Sequence, residues 1–467
     1  MFLDRYLTEY DDSLSGESYI DPMGELVIWS SYGEQIFQKR VNSISNDVRN
    51  YTLNLFNHYV IRSVEEAIKD QQIHLSSQLQ KKCSNIRQFY FKHACILYLE
   101  NLFVYSMLHN EKKGADMTGV LGSLRGRKNW TESDGNPELL FVDNSNPKAE
   151  LLKRQVSLGV NGRYRTPMLE MGYFDVNYDY HHRVAGENDR WPEVKNFIES
   201  NTPLKKLHSL LLEHFSELLQ QKKAEPVFLF QELPEGIAKA YFNAFTSSAR
   251  VGGYARDYWL GVTGLDSGAS GALLTVLNEA MQNNNGNELE AEDVVYRALK
   301  LPLHDEEKEK LDHLIQLEPF LSDAMLLFSL MTAKKAQHKD EVIKQWQDDF
   351  KRTESTLPRH AGTLLNNSKL IAVVQGTAKL RLNKLLQLSG AKTMDEQIQS
   401  IYEYHSSVMS GRDQLPWFDI DHSGLIKVNV RPSYLPDAKG WPPGSWYNSY
   451  YMPQFKSLVR GLQGETE

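Results

Sequence analysis

Cysteine is nearly absent: Cys83 and Cys95 are the only two in 467 residues. They lie twelve positions apart, which on a continuous helix is about 18 Å, far beyond disulfide reach. A disulfide scaffold is therefore excluded, and no histidine stands at the spacing a zinc finger needs. Two thiols in a reducing compartment is the expectation. Long apolar runs are also missing. The window Ala94 to Leu108 is broken by Glu100 and Asn101, and Ala324 to Met331 is too short to span a bilayer. The opening Met1-Phe2-Leu3-Asp4-Arg5-Tyr6 has no basic segment leading into an apolar core, so no signal peptide is expected. These features predict a soluble cytoplasmic chain without a membrane partner. Excess positive charge is lacking too: 52 Lys and Arg against 60 Asp and Glu give a net charge of −8, so there is no global basic field. No internal repeat of fixed period occurs.

What is present is an ordinary globular composition, 41% hydrophobic and 24% charged, which excludes wholesale disorder. Helical periodicity dominates, and the expected fold is mainly α: multi-helix domains with a few short strands and an aromatic, proline-rich C-terminal segment. An N-terminal helical unit is expected over residues 1–110. Within it a strand is predicted from Glu25 to Ser30, where Leu26, Ile28 and Ser30 alternate with Val27 and Trp29. One helix carries Val48, Tyr51, Leu55 and Val60. A second runs from about Ser76 to Leu108, and the two form an antiparallel pair. Residues 111–200 form a Gly- and Arg-containing irregular region, with a strand at Leu139 to Val142 and a surface loop from Tyr173 to Trp191.

A central helical region follows over 201–287. Thr202 is its predicted N-cap with Pro203 at the first helical position. A helix from Ile237 to Ala249 is expected to end at Gly252-Gly253, and another to start near Ala269 and end at the Asn283–Asn287 loop. The C-terminal helical domain, 288–410, is punctuated by Pro302, Pro319 and Pro358, and Thr393 with Glu396 fits a capping box. The last segment, 411–467, holds three of the eight tryptophans and a strand at Leu425 to Val430.

Charge is unevenly spread. Lys334 to Lys384 holds eleven basic against five acidic residues, and Lys112 to Arg165 ten against six, while Glu288 to Asp323 holds four against eleven. Two basic segments could line a nucleic-acid groove if they converge. Within the second, Gly114 to Trp130 reads as a mobile loop carrying Arg125, Arg127 and Lys128, but its glycines match neither a P-loop nor a dinucleotide-binding spacing. Arg163-Tyr164-Arg165, read as a turn, sets cations beside an aromatic ring, a pairing suited to phosphate and base contacts. The small residues from Arg250 to Leu273, leading into a helix, could present an anion site at its N-terminus.

Candidate catalytic groups are scattered. Asp175, Asp179, His181 and His182 form one cluster, Asp419, Asp421 and His422 another, and Glu138, Asp143 and Lys153 a third set without a known spacing. Metal-assisted hydrolysis needs three or four such ligands to converge. No recognised metal motif is present, so no metal and no cofactor are expected, and catalytic residues remain unassigned. Tyr434, Trp441, Trp446, Tyr450 and Tyr451 sit among prolines near the C-terminus. They either wrap onto the domain or dock a protein partner.

With its helical layout, the Gly/Arg stretch around Arg125 and Arg127 and the Arg163-Tyr164-Arg165 cluster, the chain resembles helical accessory subunits of bacterial phage-defence or DNA-restriction operons. The resemblance implies a non-catalytic binding or scaffolding subunit of a hetero-complex acting on DNA or RNA. Arg125, Arg127, Lys128, Arg163 and Arg165 are then the expected phosphate contacts. The alternative is a metal-assisted hydrolase or nuclease assembled from the distant acids and histidines.

Overall fold

The computed structural model describes residues 21–85, 89–181, 189–234, 236–283, 289–435 and 437–464. The fold is mainly α, 65% helical, with twenty helices and five short strands among the described residues. In chain order the helices are α1 (Leu26–Phe37), α2 (Val48–Lys69), α3 (Ser77–Asn85), α4 (Phe89–Asn110), α5 (Ser123–Glu132), α6 (Gln155–Leu158), α7 (Val160–Glu170), α8 (Trp191–Ser200), α9 (Thr202–Gln220) and α10 (Ile237–Phe245). They continue as α11 (Ser248–Thr263), α12 (Gly268–Gln282), α13 (Ala291–Ala298), α14 (Asp305–Thr332), α15 (Lys339–Lys344), α16 (Thr356–Leu365), α17 (Ser368–Val373), α18 (Gly376–Leu385), α19 (Met394–Ser410) and α20 (Met452–Gln463). The strands are β1 (Glu138–Leu140), β2 (Val227–Leu229), β3 (Ala336–His338), β4 (Phe418–Ile420) and β5 (Leu425–Val428). The chain divides into two compact units. One comprises Met1–Gln38 with Ser267–Pro453, the other Lys39–Asp266 with Gln454–Glu467.

The unit formed by Lys39–Asp266 is built around α2, which packs against α4, α7, α8, α9 and α11. Every residue from Val48 to Ile61 is buried as a result. The predicted apolar face of α2 is there, but Arg49, Asn50, Asn54, Asn57 and His58 are sealed in as well. Arg49 donates to the carbonyls of Asp116, at 2.7 Å, and of Thr118. Its guanidinium thereby orders the turn at Gly119, which has φ +70°. The stretch Gly114 to Trp130 is accordingly not a mobile loop: it closes in turns and continues as α5. Gly126 faces α4, where an added Cβ would lie 2.8 Å from Val104 Cγ1, so the missing side chain lets the two helices approach. Similarly, Gly252-Gly253 does not end a helix but lies inside α11. A Cβ at Gly252 would meet the Gly461 carbonyl at 1.8 Å; glycine is required there by close backbone approach. Arg163-Tyr164-Arg165 is helical rather than a turn, within α7. β1 and β2 pair antiparallel, with Leu139 opposite Phe228. Thr202 is already the first residue of α9; Asn201 before it stands at the N-cap position and makes no side-chain cap. The predicted helix over 76–108 is described as α3 and α4, with residues 86–88 outside the described residues.

The unit formed by Ser267–Pro453 with Met1–Gln38 centres on α14, 28 residues long. By length and composition α14 could cross a membrane, yet 78% of its most apolar window is buried within the fold. Pro319 does not punctuate it but lies inside it. A mid-helix proline costs about 3 kcal/mol, and the extensive apolar burial from Leu311 to Met331 outweighs that. The predicted strand at Glu25 to Ser30 is instead the start of α1. Ile28, Trp29, Tyr32, Ile36 and Phe37 are its buried residues, a spacing of three and four that a five-residue alternation cannot reveal. β5 pairs antiparallel with β3 on one side and β4 on the other. The Thr393 capping box is present, with Glu396 N–H donating to Thr393 Oγ1 at 3.3 Å.

Three polar side chains of α14 receive the aromatic segment 441–450. Glu318 Oε1 accepts from the backbone N–H of Tyr447 (2.7 Å) and Asn448 (2.8 Å), and Oε2 from the Tyr450 hydroxyl (2.5 Å). Ser322 Oγ accepts from Trp441 Nε1 at 2.9 Å. Asp323 holds Arg352 at 2.9 Å, and Arg352 in turn donates to the carbonyls of Trp441 (2.6 Å) and Pro442 (3.0 Å). Trp441 stacks on Tyr447 at 5.2 Å, while Tyr450 and Tyr451 pack edge-on against Trp29.

Trp441→Ala removes a buried ring and strands Ser322. We expect a loss of about 3–5 kcal/mol, read as a lower denaturation midpoint by circular dichroism. An unchanged midpoint would show that segment 441–450 does not depend on this ring.

Candidate nucleic-acid interface

The five cations singled out in the sequence fall on two helices, and each has a partner within the chain. On α5, Arg127 makes a two-pronged pair with Glu111 at 2.5 and 2.6 Å. Arg125 donates to the Pro147 carbonyl at 3.2 Å, and Lys128 lies 3.9 Å from Glu132 one turn on. On α7, Arg163 Nε donates to the Leu158 carbonyl at 2.9 Å. Arg165 donates to the Val176 carbonyl at 2.5 Å and lies over the Tyr178 ring at 5.0 Å. Tyr164 between them is buried, its hydroxyl accepting from the Asp47 N–H at 3.0 Å.

A buried polar network fixes α7. Glu100 Oε1 accepts from the Asn161 N–H at 2.7 Å, at the first turn of α7, and Oε2 from Gln155 Nε2 at 3.0 Å. Burial pushes the Glu100 carboxyl up to about 7, against the pull of these hydrogen bonds. His58 of α2 bridges the Tyr180 hydroxyl (2.9 Å) and Asn161 Oδ1 (3.0 Å), and burial pushes its imidazole down to about 3. Such perturbed groups can mark a catalytic site. Here their hydrogen-bonding capacity is used in joining α2, α4, α7 and the 173–181 loop.

The acids proposed as metal ligands serve as turn caps. Asp175 Oδ1 accepts from the N–H groups of Asn177 and Asp179, both at 2.8 Å, and Asp179 from that of His181 at 2.9 Å. His182 lies outside the described residues. Asp421 Oδ1 accepts from Ser423 Oγ (2.6 Å), Ser423 N (3.0 Å) and Leu425 N (3.1 Å) in the β4–β5 turn, which holds its carboxyl down at about 2. Asp419 Oδ2 accepts from Asn429 Nδ2 at 3.0 Å, and His422 is exposed. Asp143 accepts from Ser145 at 2.5 Å, and Glu138 and Lys153 are exposed. Among the described residues no group of three or more His, Cys, Asp or Glu is placed to hold a metal ion. A cavity of about 260 Å³ beside His109, Phe230, Leu233 and Pro234 offers mainly apolar and ring contacts.

Of the aromatic docking candidates, Trp441, Tyr450 and Tyr451 are buried in their own unit and Trp446 is half-buried. Tyr434 is 88% exposed.

A different set of cations stands in a stretch of sequence without acids, although Glu403 lines the same small pocket as Lys384 and Asp323 lies near Arg359. From Ser355 to Met394 there is no Asp or Glu among 40 residues, against six Lys and Arg; at the chain's own acid frequency about five would be expected. This stretch forms α16, α17, α18 and the 3-10 turn Leu386–Gly390, with α16 packed on that turn. Lys369 pairs with Glu309 at 3.0 Å, and Arg381 donates to the Gly24 carbonyl at 3.0 Å. Arg359, Lys379, Lys384 and Lys392 are exposed and make no ion pair among the described residues. The signal lay inside the basic segment Lys334 to Lys384, where a bulk charge count hides that all five acids precede Ser355.

Comparison with known proteins finds no match: no family model, no curated protein and no solved structure is similar to this chain.

Glu100 supplies a pH test of the α7 network. Between an ordinary carboxyl value near 4.5 and about 7, the folded chain holds more protons than the unfolded one, so this contribution to stability falls as pH rises through that window. In Glu100→Gln it vanishes. The wild-type stability minus that of the variant should drop by about 3 kcal/mol between pH 4.5 and 7.5 and stay level above, measured by urea unfolding. Parallel pH profiles would show that Glu100 is ionised throughout.

Proposed function

We propose that the protein is a non-catalytic nucleic-acid-binding subunit that contacts the phosphate backbone through the helices α16 to α18. The observation that carries this reading is the 40-residue run without an acid in a chain of net charge −8. A set of exposed cations raises the local concentration of a polyanion and releases its counterions on contact. Structural economy alone gives no reason for it, since i,i+4 acid–base pairs would steady the same helices. By contrast, Arg125, Arg127, Lys128, Arg163 and Arg165 would have to leave intramolecular partners before meeting phosphate. In this reading the chemistry resides on a partner protein, as expected of an accessory subunit in a phage-defence or DNA-restriction complex. Tyr434, 88% exposed, is an aromatic available to such a partner.

Arg359→Ala, Lys379→Ala and Lys384→Ala should each weaken binding to a mixed-sequence nucleic acid and reduce the slope of log K against log salt by about 1. Fluorescence anisotropy across a salt series measures both. Affinity and slope identical to wild type in all three variants would overturn the assignment. Arg125→Ala serves as the contrast and should leave both unchanged.

A further inference from the structure

We propose that α18 is a reading helix for duplex DNA, entering the major groove with Asn383 and Leu380 against base edges and Lys379 and Lys384 on the two flanking phosphate strands. The inference rests on the nucleic-acid reading above and adds to it the type of nucleic acid and selectivity for sequence.

The argument begins with the angular order of side chains on α18. Ala378, Leu382 and Leu385 are buried and define the inner side. Gly376, Thr377, Lys379, Leu380, Asn383 and Lys384 are exposed, and Leu380 is 73% exposed despite being a leucine. At 3.6 residues per turn, Leu380 and Asn383 lie about 30° to either side of a common outward direction. Lys379 and Lys384 then lie about 70° to either side of it. A polar and an apolar residue thus occupy the crest, with one cation on each shoulder. No acid lies on the helix or within twenty residues before it in sequence; in space, Glu403 of α19 lines a small pocket with Lys384.

That cross-section fits a groove between two anionic strands. A helix with its side chains is about 10–12 Å across, and the major groove of B-form DNA is about 12 Å wide. Cations on opposite shoulders reach opposite backbones, whereas a helix lying flat on one strand would need them on one side. Asparagine can pair with adenine through two hydrogen bonds, and an aliphatic side chain can rest on the thymine methyl. The crest therefore favours an A·T pair. At the front of the helix Gln375 makes no side-chain cap and Gly376, at φ +54°, leaves open space where a Cβ would lie. No side chain therefore caps the first turn, whose N–H groups can supplement the lysines toward phosphate. Duplex RNA is the poorer fit, because its major groove is too deep and narrow for side chains to read. An anionic bilayer is also a poorer fit, because one leucine beside asparagine and glycine makes too small an apolar face.

The test uses the full chain with a randomised 20-base-pair DNA pool, followed by anisotropy on the selected and scrambled duplexes. Wild type should enrich a site containing an A·T step and bind it at least about 10-fold more tightly than the scrambled duplex. Asn383→Ala should reduce that preference to within about 3-fold while leaving affinity for the scrambled duplex and the salt slope unchanged. Lys379→Ala and Lys384→Ala should weaken both duplexes alike and leave the preference intact. RNA of the same sequence should bind at least about 10-fold more weakly. Thermal melting checks that each variant stays folded; these exposed positions should leave the midpoint unchanged. No enriched site, a preference that survives Asn383→Ala, or equal binding of duplex RNA would overturn the reading-helix assignment. If the lysine variants still flatten the salt slope in that case, backbone binding stands without base reading. If no nucleic acid binds at all, both readings fall.

Discussion

A polar side chain on the inward face of a central helix has to find its partners inside the fold, because water cannot supply them. Glu318 of α14 is the clearest instance. Its two oxygens receive the backbone of Tyr447 and Asn448 and the hydroxyl of Tyr450. That demand gives the irregular segment 441–450 a single path. It also holds two bulky residues, Tyr450 and Tyr451, at φ +48° and +63°, a conformation that costs a side chain about 1–3 kcal/mol at each position. Gly33 of α1 leaves the room they need, since a Cβ there would lie 2.9 Å from the Tyr451 ring. The carboxyl, the glycine and the strained tyrosines form one arrangement in which each part requires the others.

The unit around α2 follows the same logic with different groups. Arg49 gathers the carbonyls of the Asp116–Gly119 turn, and His58 with Asn161 gathers the tyrosines of the 173–181 loop. Burial shifts Glu100 up and His58 down, yet both shifts reflect groups tied into the architecture rather than groups facing a substrate. Polar residues that look chemically promising in a sequence are thus often the ones that a helical protein uses to hold its loops. On the outer surface the distinguishing feature is the run of cations from residue 355 to 394, which holds no acid.

The helical class was legible because apolar spacing in helices such as α2 survives any local irregularity. The Thr393 cap was legible for a similar reason: its two partners lie three residues apart. Other features depend on distant contacts. Gly252 reads as a helix breaker until the Gly461 carbonyl is known to press on it, and Pro319 reads as a boundary until the burial on both sides of it is seen. Glu25 to Ser30 is short enough to satisfy two periods at once. The cations Arg125, Arg127, Lys128, Arg163 and Arg165 were visible as residues, but their partners, Glu111 and several backbone carbonyls, were not. For the same reason the segment 434–451 could not be divided in advance into buried rings and the exposed Tyr434.

On the proposed reading, local charge order along residues 355–394 matters more than net charge. Removing the six cations of residues 355–394 from the balance leaves the other 427 residues at −14, from the whole-chain value of −8. On the proposed reading, attraction of a polyanion comes from residues 355–394 and not from the net charge of the chain. At physiological salt, charges more than about 8 Å away are largely screened, so on that reading binding depends on the cations nearest the polyanion. A uniformly basic protein would bind a polyanion in many orientations, and a helix such as α18 would seldom be the part that meets it.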